Sequence, residues 1–183
     1  MQNGLSLMQQ AGRSQKIELL YFDEAGFSCL PNVQRSWSPL AMPHTADASL
    51  GRKRANVMGV LDYARNQLHF EICEHSVRRD DAIGFLDRLA IASTRDKWTF
   101  IVLDNASMHH HIDPLILDRW ILLHRFVPMY LPPYSPELNL IEILWKHAKY
   151  HWREFKSWSK NLLVDEVHSL LAGFGTKFHI RYA

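Results

Sequence analysis

The chain lacks the features that would place it in several broad protein classes. Only two cysteines, Cys29 and Cys73, occur among its 183 residues, and they form no CxxC pair. That excludes a disulfide-framed scaffold and makes a reducing, cytoplasmic setting the expectation. No apolar run approaches the ~18 residues of a membrane-spanning helix, so no membrane association is expected. The N-terminal MQNGLSLMQQAGRSQK has no apolar centre of the signal-peptide kind and reads as a polar lead-in over residues 1–16. Charge of one sign is missing too. Against 19 Asp+Glu stand 21 Lys+Arg, a formal +2, so any phosphate-binding surface must be a local patch rather than a basic tail. Repeats and low-complexity tracts are absent, and a chain that is 47% apolar and 22% charged is neither disordered nor collagen-like. A single domain of this length buries about 70% of its unfolded surface and needs no covalent staple.

What is present is an orderly alternation of periods. IELLYFD (Ile17–Asp23) is a short apolar run with aromatics and suits a buried strand. The proline-bearing stretch from Pro31 to Arg54 reads as loop and ends in the basic cluster GRKR, which contains Arg52, Lys53 and Arg54. Strands over Asn56–Leu61 and Gln67–Cys73 follow, joined by a turn short enough for a hairpin. From Asp80 to Ala92 the period becomes helical, and Trp98–Leu103 is again a buried strand. Asp113-Pro114 reads as a cap followed by proline in the first helical position, opening a helix to His124. Phe126–Leu131 is a strand, Ser135-Pro136 repeats the cap signal before a helix to Trp152, and a last helix covers Leu162–Ala172. An early antiparallel hairpin followed by alternating strands and helices implies one α/β domain over residues 17–183, built on a mixed five-stranded sheet.

Three acids stand out by position. Asp23 and Asp104 close buried strands, and Glu142 lies in the helix that begins at Pro136. Carboxylates gathered on a buried sheet are costly, because desolvation and mutual repulsion both oppose ionisation. Magnesium or manganese relieves that conflict, since both prefer oxygen ligands. Two such ions about 4 Å apart would clamp the attacking and leaving oxygens of a phosphoryl displacement. Singly, each acid equally suits a turn former, a helix cap or one half of an (i, i+4) pair with Lys146. Glu24 and Glu137 compete as candidates. On one helix Glu137 and Glu142 are about 140° apart and cannot both face one site. Along the same helix Leu138, Ile141, Trp145, Ala148 and Trp152 make an apolar stripe. Asn139, Glu142, Lys146, Lys149 and Arg153 make a polar one, which is either a solvated face or a track for a DNA backbone. Five Lys+Arg and one acid fall between Lys146 and Lys160, a basic excess hidden by the overall balance.

The stretches YFDEAGF (Tyr21–Phe27), VLDNASMHH (Val102–His110) and LPPYSPELNLIEILWK (Leu131–Lys146) occur in order. Together they resemble the catalytic domain of DDE transposases of the mariner-like superfamily, in its bacterial insertion-sequence branch. The resemblance runs from about Glu18 to Trp152 and implies a ribonuclease H-like fold. It implies that Asp23, Asp104 and Glu142 are catalytic and hold two Mg2+ ions, with Mn2+ as a substitute. Leu140 stands where the family often has proline, a departure that leaves the acids in place. Arg35 and Trp37 resemble an Arg-x-Trp element that in relatives meets DNA or a partner subunit. His109 or His110 falls where relatives often place a histidine near the scissile phosphate, whereas zinc is disfavoured because His109–His111 lack helical ligand spacing. The predicted DNA contacts are Arg35, Trp37, Arg52, Lys53, Arg54, His109, Asn139, Lys146, Lys149 and Arg153.

The reading is a metal-dependent DNA endonuclease and strand transferase acting on double-stranded DNA, at transposon ends and at a target. The resemblance further implies insertion at TA dinucleotides and a homodimer on DNA. Relatives carry helix-turn-helix modules ahead of this domain, and residues 1–16 are too short for one, so such a module is expected on a separate subunit or outside this fragment. Two alternatives stand beside this: a structure-specific nuclease on the same fold, or an idle remnant that binds DNA or a partner subunit without cutting.

Overall fold

The computed structural model describes residues 2–30, 37–43, 54–93, 96–105, 112–152, 154 and 159–182. Its centre is a five-stranded sheet. β1 (Glu18–Ser28) pairs antiparallel with β2 (Arg54–Asp62), which pairs antiparallel with β3 (Gln67–Cys73). On the other side, β1 pairs parallel with β4 (Thr99–Leu103), and β4 pairs parallel with β5 (Phe126–Tyr130). The order β3-β2-β1-β4-β5 puts β1 in the middle. Parallel neighbours need long crossovers, supplied here by α2 (Arg79–Ala92) and α3 (Pro114–His124). Asp113 caps α3 as expected, its side chain accepting from the Leu115 amide at 2.8 Å, with Pro114 in the first helical turn.

The pleat of β1 divides the core into two halves, since successive side chains point to opposite faces. Leu20 and Phe22 join Met58, Val60, Ile101 and Leu103 beneath α2 and α3, where Phe85, Leu86 and Trp120 close the layer. Leu19, Tyr21, Ala25 and Phe27 join Val57, Leu61 and Val102 on the other face. That face is covered by α4 (Ile141–His147) and α5 (Lys160–Ala172), through Ile141, Leu144, Trp145, Leu163, Val167 and Leu170.

β1, expected to end at Asp23, runs on to Ser28, so Asp23 lies within the strand rather than closing it, and two further elements differ from the sequence-based expectation. The N-terminal stretch read as a polar lead-in contains a helix, α1 (Gln2–Arg13). Leu5 is buried in the second core half, Met8 packs against it, and Gln9 Nε2 donates to the Tyr21 hydroxyl at 3.0 Å. The arginine at its end, Arg13, lies 5.3 Å over the Tyr63 ring. Its apolar side chains are few, which made it read as polar lead-in, although Leu5 and Met8 fall at helical spacing. The second difference is the segment Pro136–Trp152, predicted as one helix and observed as three pieces: a 3-10 turn (Pro136–Leu138), α4, and a wider π-helical turn (Ala148–Trp152). Asn139 makes the break, with an extended backbone at φ −89 and ψ 99.

Candidate active site

The register of the central strands brings the two aspartates together. Tyr21 pairs with Val102 across β1 and β4, so two residues further along both parallel chains Asp23 faces Asp104. Adjacent strands lie ~4.8 Å apart, and period-2 alternation puts both acids on the face that α4 covers. Across β2, Asp23 pairs with Gly59. A Cβ at Gly59 would lie 2.6 Å from two ring carbons of Trp145 and 3.3 Å from Ile141 Cδ1. The missing side chain is therefore what lets α4 settle onto the sheet beside Asp23, and Glu142 sits in the first turn of that helix.

Asn139 ties these parts to one another. Its Nδ2 donates to the carbonyl of Phe22, the residue before Asp23, at 3.0 Å, while its own carbonyl accepts from the Glu142 amide at 3.0 Å. One residue thus fixes the Asp23 peptide and the start of the helix carrying Glu142. This corrects its placement in the DNA-facing row: Asn139 is 1% exposed, because the break in the helix turns its side chain inward. Replacing it with alanine removes the donor and strands a buried carbonyl. Asn139→Ala is expected to lower stability by about 1–3 kcal/mol, read from urea unfolding. Asn139→Asp, which sets a carboxylate against that carbonyl, is expected to cost more.

The electrostatics are those of crowded acids. Asp23 is 7% exposed, Asp104 half-buried and Glu142 exposed. Burial pushes the Asp23 carboxyl up to about 8, the charges of Glu142, Glu24 and Asp104 act the same way, and a hydrogen bond from the Glu24 backbone opposes them. Glu24, next on β1, projects to the opposite face by the pleat. Glu137 is exposed on the 3-10 turn, cut off from α4 by the extended backbone of Asn139. A carboxyl held protonated by burial and by neighbouring acids suits a divalent cation, and the all-carboxylate donor set suits magnesium or manganese. Among the described residues, no three His, Cys, Asp or Glu side chains converge on one point. The acids therefore adjoin without forming a closed three-ligand cage.

Cations flank the acids. Lys149 is half-buried, with its Nζ 5.8 Å from the centroid of Phe27 on β1. Burial lowers its pKa, Glu142 and Asp23 pull it back up, and Arg54 adds to the lowering. Arg54 starts β2 and lies across Gly26, where any Cβ would collide with its guanidinium. Lys146 is exposed on α4, and Trp37 is fully exposed. Arg35, Arg52, Lys53, His109 and Arg153 lie outside the described residues. One feature went unnoticed in the sequence: Gly59, whose only signal is a glycine within an apolar strand run. Tyr134, in the proline-rich approach to the helix of Glu142, lines a cleft beside Asp104.

That cleft, about 370 Å3, is lined by Asp104, Asn105 and the Leu131–Pro136 loop. Solved structures with the same arrangement of strands and helices include the pre-cleavage Mos1 transpososome, with 16% identity, a TM-score of 0.56, and coverage of 97% of this chain and 62% of that chain. The Mos1 strand transfer complex matches at 18% identity and TM-score 0.55, over 97% of this chain and 61% of that one. The mariner Mos1 paired end complex with Mg matches at 15% and 0.56, over 93% and 58%. The chain thus spans about three fifths of the length of these solved relatives. At these identities the likeness defines the fold, which is ribonuclease H-like. A comparison with curated proteins finds no match. The sequence itself matches the family described as DDE superfamily endonuclease over residues 18–162, a span that holds Asp23, Asp104 and Glu142 and most of the chain. The chain belongs to the DDE superfamily of endonucleases.

Proposed function

We propose that this domain cuts DNA phosphodiesters at transposon ends and joins the freed strand to a target, using Asp23, Asp104 and Glu142 to hold two Mg2+ ions, or Mn2+ in their place. The observation that carries the reading is the buried Asp23 carboxyl, crowded by Asp104 and Glu142 and pushed up to about 8. Asp23 would be shared between the ions, Asp104 would hold one and Glu142 the other. When bound, such ions lower the pKa of an attacking hydroxyl and offset charge on the leaving oxygen. The chain supplies the rest. Asn139 keeps Asp23 and Glu142 in fixed relation, and Lys149 and Arg54 set positive charge beside the acids, where a backbone phosphate would lie. In the first displacement, water adds to phosphorus and the bond to the 3′ oxygen breaks, leaving a 3′ hydroxyl and a 5′ phosphate. In the second, that hydroxyl attacks a target phosphodiester, and a target 3′ oxygen leaves.

The arrangement of Mos1 transposase with transposon ends supports DNA as the partner. A homodimer on DNA, a separate helix-turn-helix subunit and a cytoplasmic location are part of the same proposal. A strand-joining assay separates transposase from simple nuclease. A labelled duplex with a free 3′ hydroxyl, incubated with supercoiled plasmid and Mn2+, is expected to become covalently attached to plasmid. Nicking without attachment would favour the structure-specific nuclease instead.

A further inference from the structure

Helix α3 carries an apolar stripe that the fold does not use. Leu115 is 77% exposed, Leu122 76% and Leu123 58%, and Ile91 on α2 is 57% exposed. Single exposed apolar residues are ordinary, whereas a contiguous cluster marks an interaction surface. Asp87 of α2 accepts from Arg119 Nη2 at 2.6 Å and from Trp120 Nε1 at 2.7 Å, and Ser93 Oγ donates to the His124 carbonyl at 3.2 Å, so the two helices run side by side. One turn beyond the Asp87–Arg119 bond, Ile91 and Leu123 are therefore neighbours. The stripe tops the layer that covers Phe22 and Ile101, the reverse of the face that holds Asp23 and Asp104. DNA lying at the acids would leave it bare.

The charges on α3 indicate what covers it. At about 100° per residue, Leu115 and Leu122 project along almost one line, opposite the buried Trp120 and His124. Asp118 stands about 50° to one side of that line and Arg119 about 50° to the other, and both are exposed. Two copies packed with their α3 helices parallel about a two-fold axis place Leu115 on Leu115 and Leu122 on Leu122, one heptad apart. Asp118 then faces Arg119 of the second copy on both flanks. The antiparallel arrangement instead sets Asp118 against Asp118 and Arg119 against Arg119. The bond to Asp87 takes one of the donors of Arg119 and leaves its guanidinium others to offer.

We infer that the α3 stripe is a homodimer surface, joining two domains in parallel through Leu115 and Leu122 and leaving each acid cluster open on the outer side. This goes beyond the DNA-cleaving reading and needs neither DNA nor metal. Two short helix faces bury less than the ~1,200 Å2 of a stable interface, so the dimer is weak and forms as concentration rises.

Sedimentation velocity without DNA or metal tests this. Between about 5 and about 200 μM, the wild-type sedimentation coefficient is expected to climb from that of a monomer toward that of a dimer. Leu122→Glu removes a seam leucine from each copy and opposes two carboxylates, and should weaken association at least about tenfold. Asp118→Arg sets like charges together on both flanks and should weaken it several-fold at low salt. Both side chains are exposed, so both variants should melt like wild type. Under mild oxidation Leu122→Cys should form a disulfide-linked dimer that wild type, whose Cys29 is buried and Cys73 half-buried, does not. A wild type that stays monomeric throughout would overturn the proposal and assign the stripe to a different protein. Association unchanged in Leu122→Glu would overturn this surface, and failure of Leu122→Cys to cross-link would overturn the parallel register.

Discussion

Asp23→Asn is expected to stabilise the metal-free protein at pH 8 while abolishing DNA cleavage. The sign follows from proton bookkeeping. In the unfolded chain the carboxyl ionises near its ordinary value of 3.8, whereas in the fold burial and neighbouring acids hold the proton to about 8. Between those values the native state binds a proton that the unfolded state has lost, so stability falls as pH rises through the window and levels off above it. One full pKa unit is worth about 1.4 kcal/mol, so four would set a ceiling of about 6 kcal/mol; relaxation and water entry should reduce the effect to about 2–3 kcal/mol. Asparagine has the shape of the protonated acid and no titration. In chelator, urea midpoints of wild type should therefore decline from pH 5 to pH 8 while those of Asp23→Asn stay level. Parallel profiles for the two proteins would contradict this account of the acid cluster. Metal added to wild type at pH 7 should release a proton, measurable by calorimetry in buffers of different ionisation enthalpy.

The second large effect concerns packing rather than charge. Gly59→Ala places a methyl where two Trp145 ring carbons already lie, 2.6 Å from the new carbon. The indole rests on the sheet against Phe27, whose ring meets it edge-on at 6.3 Å, so α4 must lift. Overpacking of this kind costs about 1–3 kcal/mol. Displacing Glu142 by even about 1 Å should cut turnover roughly a hundredfold. Trp145→Phe supplies the compensating space. It sacrifices no hydrogen bond among the described residues, because the indole Nε1 is buried without a partner there. The double variant should recover at least about 1 kcal/mol relative to the sum of the single changes. Strict additivity would mean that Gly59 and Trp145 do not set the helix-to-sheet distance.

The strands and the crossover helices were legible in the sequence because their signals are local: apolar runs, a two-residue alternation, and proline after a capping aspartate. Asp23 and Asp104 were legible for the same reason, as polar residues at the ends of apolar runs. The helix of Glu142 was half legible. Stepping by three and four correctly buried Ile141, Trp145 and Ala148, but it assumed an unbroken helix. The break comes from a hydrogen bond to Phe22, a residue far off in the chain, and no local period encodes such a partner. Upstream of the break the helical phase fails, which is why Asn139 was assigned to the wrong face. Gly59 escaped because its reason is the ring of Trp145, on another element. α1 escaped because its apolar residues are few, although Leu5 and Met8, which dock it, do fall at helical spacing.

The central claim is that Asp23, Asp104 and Glu142 together cut DNA with a divalent metal, and a nicking assay on supercoiled plasmid tests it most directly. Wild-type protein is expected to convert supercoiled to open-circular DNA in Mg2+ or Mn2+ and to do nothing in chelator, while Asp104→Ala, folded to the same melting curve, is inactive in every buffer. Nicking that persists in Asp104→Ala, or that proceeds equally well in chelator, would contradict the account.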